Sequence, residues 1–517
     1  MTSETSNNTM FNSDVVIGLE IHVSLNTTTK LFCSCKNSHS AEENTNICPI
    51  CLGHPGSRPS LNKKAVEYAI KLAKALNFKI AEELIFSRKT YFYPDLSKNY
   101  QITQYEEPLG TDGHVSLYLN NNNNKNNNKS KNEEINESVE KRIGLERIHL
   151  EEDPGSLIHK PNYSLIDYNR SGCPLCEIVT KPEITSPEEA RAFIKKLLSI
   201  VNYLSIFDYE NGTIKADLNI SIKESGYKRV EIKGVSGFKD IQDALEYEIL
   251  RQKENPENII METRGYDAEQ KITIPQRTKE TEEDYGYIYE SDIVPRKLES
   301  KFVENLTKEI PELPDSRINR YMKLKVSENE YITRTDSESL ASIKEISDLF
   351  DYLISKELDV KTSLRYVTRE IISTINEGLI VPKLLDNENL KENIECVVKL
   401  FSERKINNHT AREMAYKIVE DVTKNNIQRN TQKNNDNNNL FSAKKYLEEN
   451  ELIIDSSMDL DKICTEVINN NKNVVDDYLS GKHWAVNYLV GQVMKATKGK
   501  AMPDDAKNKL ISIIEQK

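Results

Sequence analysis

In the stretch Val15-Val16-Ile17-Gly18-Leu19-Glu20-Ile21-His22-Val23-Ser24-Leu25, every odd-numbered position is apolar. A strand sends successive side chains to opposite faces, so Glu20 and His22 stand side by side, turned away from the apolar layer. The pattern recurs in Thr213 to Ile222, where Ile214, Ala216, Leu218, Ile220 and Ile222 oppose Lys215, Asp217, Asn219 and Ser221. It recurs once more where Val230 and Ile232 oppose Arg229, Glu231 and Lys233. Half-buried strands of this kind imply a sheet with one packed and one polar face.

Outward from these strands, strand and helix signals alternate from Asp14 to about Ser300. Helical periodicity takes over after Lys301, opened by Ile310-Pro311-Glu312-Leu313-Pro314. Asn62 can cap a helix whose apolar face is Val66, Ala69, Ile70, Ala73 and Leu76. Ser186-Pro187-Glu188-Glu189 reads as a capping box with proline at the first helical position, ahead of the stripe Phe193, Ile194, Leu197, Leu198, Val201 and Leu204. The fold class is therefore α+β, with a mixed or antiparallel sheet and flanking helices over residues 14–300. An all-α part follows, with helical segments at 301–423 and 440–517. Residues 424–439 and Asn120 to Asn132 are asparagine-rich. Neither tract has the apolar periodicity to offset its chain entropy, so both are expected as disordered surface insertions.

A chain of 517 residues calls for two or three domains. Its net charge of −12 argues against a surface that binds nucleic acid throughout, but not against local basic patches. No apolar run approaches the ~18 residues of a membrane span, so no membrane role is expected. Met1 to Ser13 has neither an apolar core nor an arginine, which speaks against a secretory signal and leaves at most a weak organelle leader. The cysteines therefore read as reduced, and close pairs suggest metal rather than disulfides.

Carboxylates, a histidine, an amide and lysines on polar strand faces suit Mg²⁺ carrying nucleotide phosphates, with the lysines neutralising the phosphates. The alternation alone leaves a second reading open, a merely solvated sheet face. Ile143 to Leu157 adds Glu146, His149, Glu151, Glu152 and Asp153 before a bend at Pro154-Gly155. Glu177 is a lone acid in Pro174-Leu175-Cys176-Glu177-Ile178-Val179, where a charge needs a partner or a cation. Cys33-Ser34-Cys35 and Cys48-Pro49-Ile50-Cys51 let four thiolates converge on a structural Zn²⁺ with no open position for catalysis. Cys173-Pro174-Leu175-Cys176 has redox-motif spacing, yet its apolar flanks favour two small buried hydrophobes. There is no G-x-x-x-x-G-K-[ST] loop and no Gly/Ser-rich amidase segment, so ATP must bind by another device and any glutamine hydrolysis must occur on another chain.

The order of the motifs resembles the B subunit family of the glutamyl-tRNA(Gln)/aspartyl-tRNA(Asn) amidotransferases over nearly the whole chain. The segments that carry the resemblance are Val16 to Val23, Asn46 to Gly53, Arg88 to Leu96, Tyr100-Gln101-Ile102-Thr103-Gln104, His149 to Gly155, Asp167 to Gly172, Glu177 to Thr180 and Ala244 to Ile249. Leu489 to Lys500 resembles the YqeY-type tail. The resemblance implies a catalytic cradle with ATP, Mg²⁺ and zinc over 14–300, a helical domain over 301–423, and a tRNA-binding tail over 440–517. It implies that mischarged Glu-tRNA(Gln), and in some lineages Asp-tRNA(Asn), is activated by ATP as an acyl phosphate and then amidated. Ammonia would arrive through a channel from an amidase-type A subunit, braced by a small C subunit.

The resemblance supports Glu20, His22, Glu151 and Glu152 as metal-site residues. Glu177, Asp217, Asn219, Glu231 and Lys233 join them as further polar-face residues. Arg88, Lys89, Tyr91, Tyr93 and Lys98 interleave charge with aromatics, suited to the acceptor end of tRNA. Lys495, Lys498 and Lys500 suit phosphate contact by the tail, with a solvated helix end as the alternative. The chain departs from the family at Glu283 to Glu290, where Gly286 replaces an arginine and Ile288-Tyr289 a Phe-Pro pair. Two rivals are a non-catalytic tRNA scaffold and a zinc hydrolase acting on tRNA. A eukaryotic-looking asparagine bias beside a bacterial-type enzyme points to the mitochondrial matrix, with the cytoplasm as the alternative.

Overall fold

The computed structural model describes residues 14–38, 42–120, 138–207, 214–278, 286–431, 441–454, 459–497 and 501–515. The chain divides into two compact units, Met1–Leu313 and Pro314–Lys517.

The first unit is built on a nine-stranded sheet. Its order runs Ile272–Thr278, Glu262–Asp267, Val230–Ser236, Ile214–Ile222, Val15–Ser24, Pro174–Thr180, Ser138–Glu152, Gly110–Asn120 and Lys79–Ile80. Neighbours are antiparallel, except that Val230–Ser236 and Glu262–Asp267 run parallel. Parallel neighbours need a long crossover, and the helix Phe238–Glu254 supplies it. The sheet is thus mixed. Val15, Ile17, Leu19, Ile21 and Val23 are buried on one face, and the residues between them are half-buried on the other. The helices Lys63–Ala75, Pro187–Tyr203 and Phe238–Glu254 join the packed face in one hydrophobic cluster.

The helix starts follow from local chemistry. Asn62 Oδ1 accepts from the Lys64 and Ala65 N–H groups at 2.9 and 3.3 Å, satisfying donors that a helix start leaves free. Ser186 Oγ accepts from Glu189 N–H at 3.2 Å, with Pro187 in the first turn. The Glu189 carboxylate reaches one residue further back than a capping box requires, accepting from Thr185 N–H at 2.8 Å.

A small three-stranded sheet, ordered Gly286–Tyr289, Ser87–Thr90 and Tyr100–Thr103, also belongs to this unit. Among its described residues the second unit is helical apart from an isolated bridge between Lys325 and Tyr331, with two hydrophobic clusters, Tyr321–Leu447 and Cys464–Ile514. The helix Asn408–Thr431 runs past residue 424, so residues 424–431 of the expected insertion are helical; 432–440 lie outside the described residues. The other tract lies outside them from residue 121 onward. No described helix is long and apolar enough to cross a membrane.

Candidate functional site

The sheet register decides which polar residues meet. Glu20 lies opposite Asp217 and His22 opposite Lys215 on one flank. On the other flank His22 lies opposite Glu177, which in turn lies opposite His149. Asn219 lies opposite Glu231. Directly opposed residues share a face. Five consecutive strands therefore place their polar residues on the side turned away from the helices.

Two groups form there. Ligand atoms of His22, Glu151 and Glu177 lie within 4.8 Å of one another, and so do those of Glu20, Asp217 and Glu231. His22 Nε2 is 3.2 Å from Glu177 Oε2 and 3.5 Å from Glu151 Oε1. Asn219 Nδ2 donates to Glu20 Oε1 at 3.0 Å, Gly234 N–H to Asp217 Oδ1 at 2.7 Å, and Thr263 Oγ1 to Glu231 Oε2 at 3.0 Å. Lys233 Nζ stands 3.7 Å from Asp217 and 3.9 Å from Glu231. Every catalytic candidate but one is thus on the shared face. The exception is Glu152, which has the parity of the buried Ile148 and Leu150. It pairs with Lys98 Nζ and accepts from Ile102 N–H at 2.8 Å.

The charged groups of the face act strongly on one another. Burial opposes charging His22, but the hydrogen bond to Glu177 and the charges of Glu151, Glu177 and Asp217 raise its pKa to about 10. Burial likewise opposes ionising Glu177, yet His149, His22 and Lys89 hold it well below the usual carboxylate range. Mixed carboxylate and imidazole donors so spaced fit a hard divalent ion, the imidazole binding once its proton has left. His149, named in the sequence beside Glu151 but not among the catalytic candidates, lies against the first group. It is buried, with Nε2 3.7 Å from Glu177 and 3.8 Å from Glu151, and its Nδ1 has no partner. Its parity with Glu151 is the signal that could have found it. Thr263 gives none, because its partner is 32 residues away.

The tRNA candidates separate. Arg88 makes a two-armed pair with the fully buried Glu290, at 2.8 and 2.7 Å, and stacks over Tyr100. The side chain of Lys98 is 7% exposed against Glu152. Lys89 and Tyr91 are half-buried and Tyr93 is exposed. In the second unit, Lys495 is exposed at the end of the helix Val486–Ala496. Lys498 and Lys500 lie outside the described residues, as do Glu283 to Tyr285.

Cys33, Cys35, Cys48 and Cys51 bring their sulfurs within 4.8 Å of one another. The loop is held by Lys30 N–H to Cys35 O at 2.9 Å and by Leu52 N–H to Cys48 O at 3.1 Å. Gly53 (φ +68°) sits where a Cβ would meet Lys98 Cγ at 2.5 Å, so only glycine fits. Lys30, fully buried, donates to Asn46 O at 3.0 Å and stands 3.9 Å from Cys51 Sγ. The Cys51 pKa falls to about 5, chiefly through hydrogen bonding from Cys33, against burial and with help from Cys48 N–H and the Lys30 charge. Four convergent sulfurs with one thiolate already favoured could hold a metal such as zinc. Cys173 and Cys176 are buried and are not among these four converging sulfurs. Cobalt-substituted protein is expected to show thiolate charge-transfer absorption. Cys48→Ser should remove one of the four sulfur contributions, whereas Cys173→Ser should leave the spectrum as it is.

The chain is similar to known proteins along most of its length. The family model described as the GatB/GatE catalytic domain matches residues 15–304, and the model described as the GatB domain matches residues 348–514. The chain is 38% identical over 500 residues to the B subunit of aspartyl/glutamyl-tRNA(Asn/Gln) amidotransferase from Persephonella marina, covering 94% of this chain and 96% of that protein. It is 38% identical over 516 residues to the protein of that name from Carboxydothermus hydrogenoformans, covering 96% and 98%. The counterpart from Thermodesulfovibrio yellowstonii is 38% identical over 518 residues, covering 97% and 99%.

Proposed function

Because the chain belongs to the B subunit family of the aspartyl/glutamyl-tRNA(Asn/Gln) amidotransferases, we propose that its carboxylate face is where the aminoacyl group of misacylated tRNA is activated. The family reaction is transamidation of misacylated tRNA, and a B subunit implies partner subunits and tRNA around it. The observation that supports the site reading is the register, which gathers Glu20, His22, Glu151, Glu177, Asp217 and Glu231 into two adjacent groups on one sheet face.

A carboxylate is a poor electrophile because its oxygens leave badly. In the proposed reaction a side-chain carboxylate oxygen of the aminoacyl group attacks the γ-phosphorus of ATP. The bond to the β–γ bridging oxygen breaks and ADP leaves. Ammonia then attacks the acyl carbon, the acyl–oxygen bond breaks, and phosphate leaves as the nitrogen sheds a proton. The first step depends mainly on alignment and charge neutralisation. Mg²⁺, when bound, would screen the phosphate oxygens. His22, Glu151 and Glu177 would hold one ion, and Glu20, Asp217 and Glu231 could hold a second. Asn219 and Thr263 orient Glu20 and Glu231 through their hydrogen bonds. Lys233, held between two carboxylates and partly exposed, can turn to a phosphate.

Ammonia is proposed to come from glutamine through an amidase-type A subunit, with a C subunit as brace, and zinc to occupy the four-cysteine centre. Lys89, Tyr91 and Tyr93 are proposed to meet the acceptor end of tRNA. Arg88 and Lys98 serve there through the buried pairs that hold the surrounding loops. The tail at 440–517, with Lys495, Lys498 and Lys500, is proposed for the tRNA body. The named relatives are bacterial, and a mitochondrial placement stands on the asparagine bias of the sequence alone. The test is transamidation by the chain purified with its partner subunits, supplied with ATP, glutamine and either Glu-tRNA(Gln) or Asp-tRNA(Asn). Amidation of at least one, dependent on both ATP and glutamine, is expected. A complete complex that binds tRNA but forms no amide would overturn the reading.

A further inference from the structure

Among the described residues the sheet is one strand short beside Glu151. The Gly110–Asn120 strand accompanies Ser138–Glu152 only as far as the Gly110–Ile148 pair. Beyond it, Leu150 N–H and Glu152 C=O face outward from that edge. A buried backbone group without a partner costs about as much as a lost hydrogen bond. Two glutamine side chains stand in for the missing strand. Gln104 Oε1 accepts from Leu150 N–H at 3.0 Å, and Gln101 Nε2 donates to Glu152 C=O at 2.7 Å. Both glutamines are buried, and Gln104 is itself tied down by donating to Ile85 O at 3.2 Å.

The residue between the two anchored groups is Glu151. Its neighbour is fixed as well, since the Glu152 carboxylate accepts from Ile102 N–H and pairs with Lys98 on the opposite side of the strand. With both flanking peptides and the next side chain held, Glu151 is directed toward His22 and Glu177. We propose that Gln101 and Gln104 are positioning residues, which set the Glu151 carboxylate in place for the cation and phosphate chemistry of this face. The segment Tyr100 to Gln104 thereby acquires a role that its sequence alone does not suggest. The inference rests on the reading of the face given above.

The amide is chemically specific here. At residue 101 a donor must meet a carbonyl oxygen; a carboxylate of the same shape would set oxygen against oxygen. The test uses the full chain, Mn²⁺ as the probe read by electron paramagnetic resonance, and Gln101→Glu, Gln101→Met and Gln104→Ala. Each is expected to weaken Mn²⁺ binding by about 10- to 100-fold, the usual effect of losing support behind a metal ligand. The kcat for amidation should fall with it, while KM for tRNA stays near wild type. Gln101→Met keeps the length of the side chain without a donor, so it answers the question if the charged variant fails to fold. Wild-type Mn²⁺ affinity in Gln101→Met, beside weak binding in Glu151→Ala, would overturn the positioning role and leave the site reading standing. Wild-type affinity in Glu151→Ala would remove Glu151 as a metal ligand, and the positioning role with it.

Discussion

Glu20→Ala is expected to lower amidation by at least roughly 10²- to 10³-fold, in line with removal of a group that stabilises developing charge, while tRNA binding stays largely intact. Glu20 sits mid-strand, paired on both sides through its backbone with Val179 and Asp217, and neither pairing involves its side chain. Alanine keeps those ladders and the buried Leu19 and Ile21 on either side. What is lost is one carboxylate of the group with Asp217 and Glu231, together with the bond from Asn219 Nδ2. Glu20→Gln separates charge from shape, since its amide oxygen can still accept from Asn219. Activity lost equally in both variants would assign the effect to the negative charge. Single-turnover amidation and filter binding of tRNA measure the two halves of the expectation. Unchanged amidation in Glu20→Ala would refute the metal and phosphate role of this face.

The apolar half of this fold was legible because period-2 alternation in Val15–Ser24 and Ile214–Ile222 is unbroken. The joining of their polar faces was legible only as a possibility, since Glu20 and Asp217 are partners across nearly two hundred residues of intervening chain. The Ser138–Glu152 strand shows where alternation misleads. Ile143 and Leu145 are buried, and so are Ile148 and Leu150, so the buried parity switches near Glu146. The pairing with Pro174–Thr180 slips at Val179 and Thr180 at that point, as a bulge requires. Counting from the wrong side of the slip makes Glu151 and Glu152 interchangeable, and the structure separates them onto opposite faces. Arg88 and Lys98 read, in the sequence, as surface charge among aromatics. Their carboxylate partners, Glu290 and Glu152, stand 202 and 54 residues away, and no local pattern announces them.

For stability, the largest loss is expected at Glu248, a fully buried acid inside the helix Phe238–Glu254. Its Oε1 accepts from Arg251 Nη2 at 2.6 Å and Gln252 Nε2 at 2.9 Å, and its Oε2 from Arg251 Nε at 3.0 Å and Thr273 Oγ1 at 2.8 Å. Arg264, also buried, reaches Glu248 at 3.6 Å, donates to Glu262 at 2.7 Å and donates twice to Thr273. Two arginines therefore share two glutamates in a low-dielectric space between helix and sheet. Glu248→Ala leaves the arginines with one carboxylate, and an uncompensated buried charge costs about 3–5 kcal/mol. Urea unfolding should show that loss as a lower midpoint at unchanged slope. If the penalty comes from unpaired charge rather than lost packing, Glu248→Ala combined with Arg264→Met should regain part of it; a double variant no more stable than the single would place the cost in packing instead. The disturbance would reach the chemistry only indirectly. The strand Glu262–Asp267 that this network anchors also carries Thr263, whose hydroxyl orients Glu231. Glu248→Ala should therefore lower the amount of folded protein far more than the turnover of what remains folded.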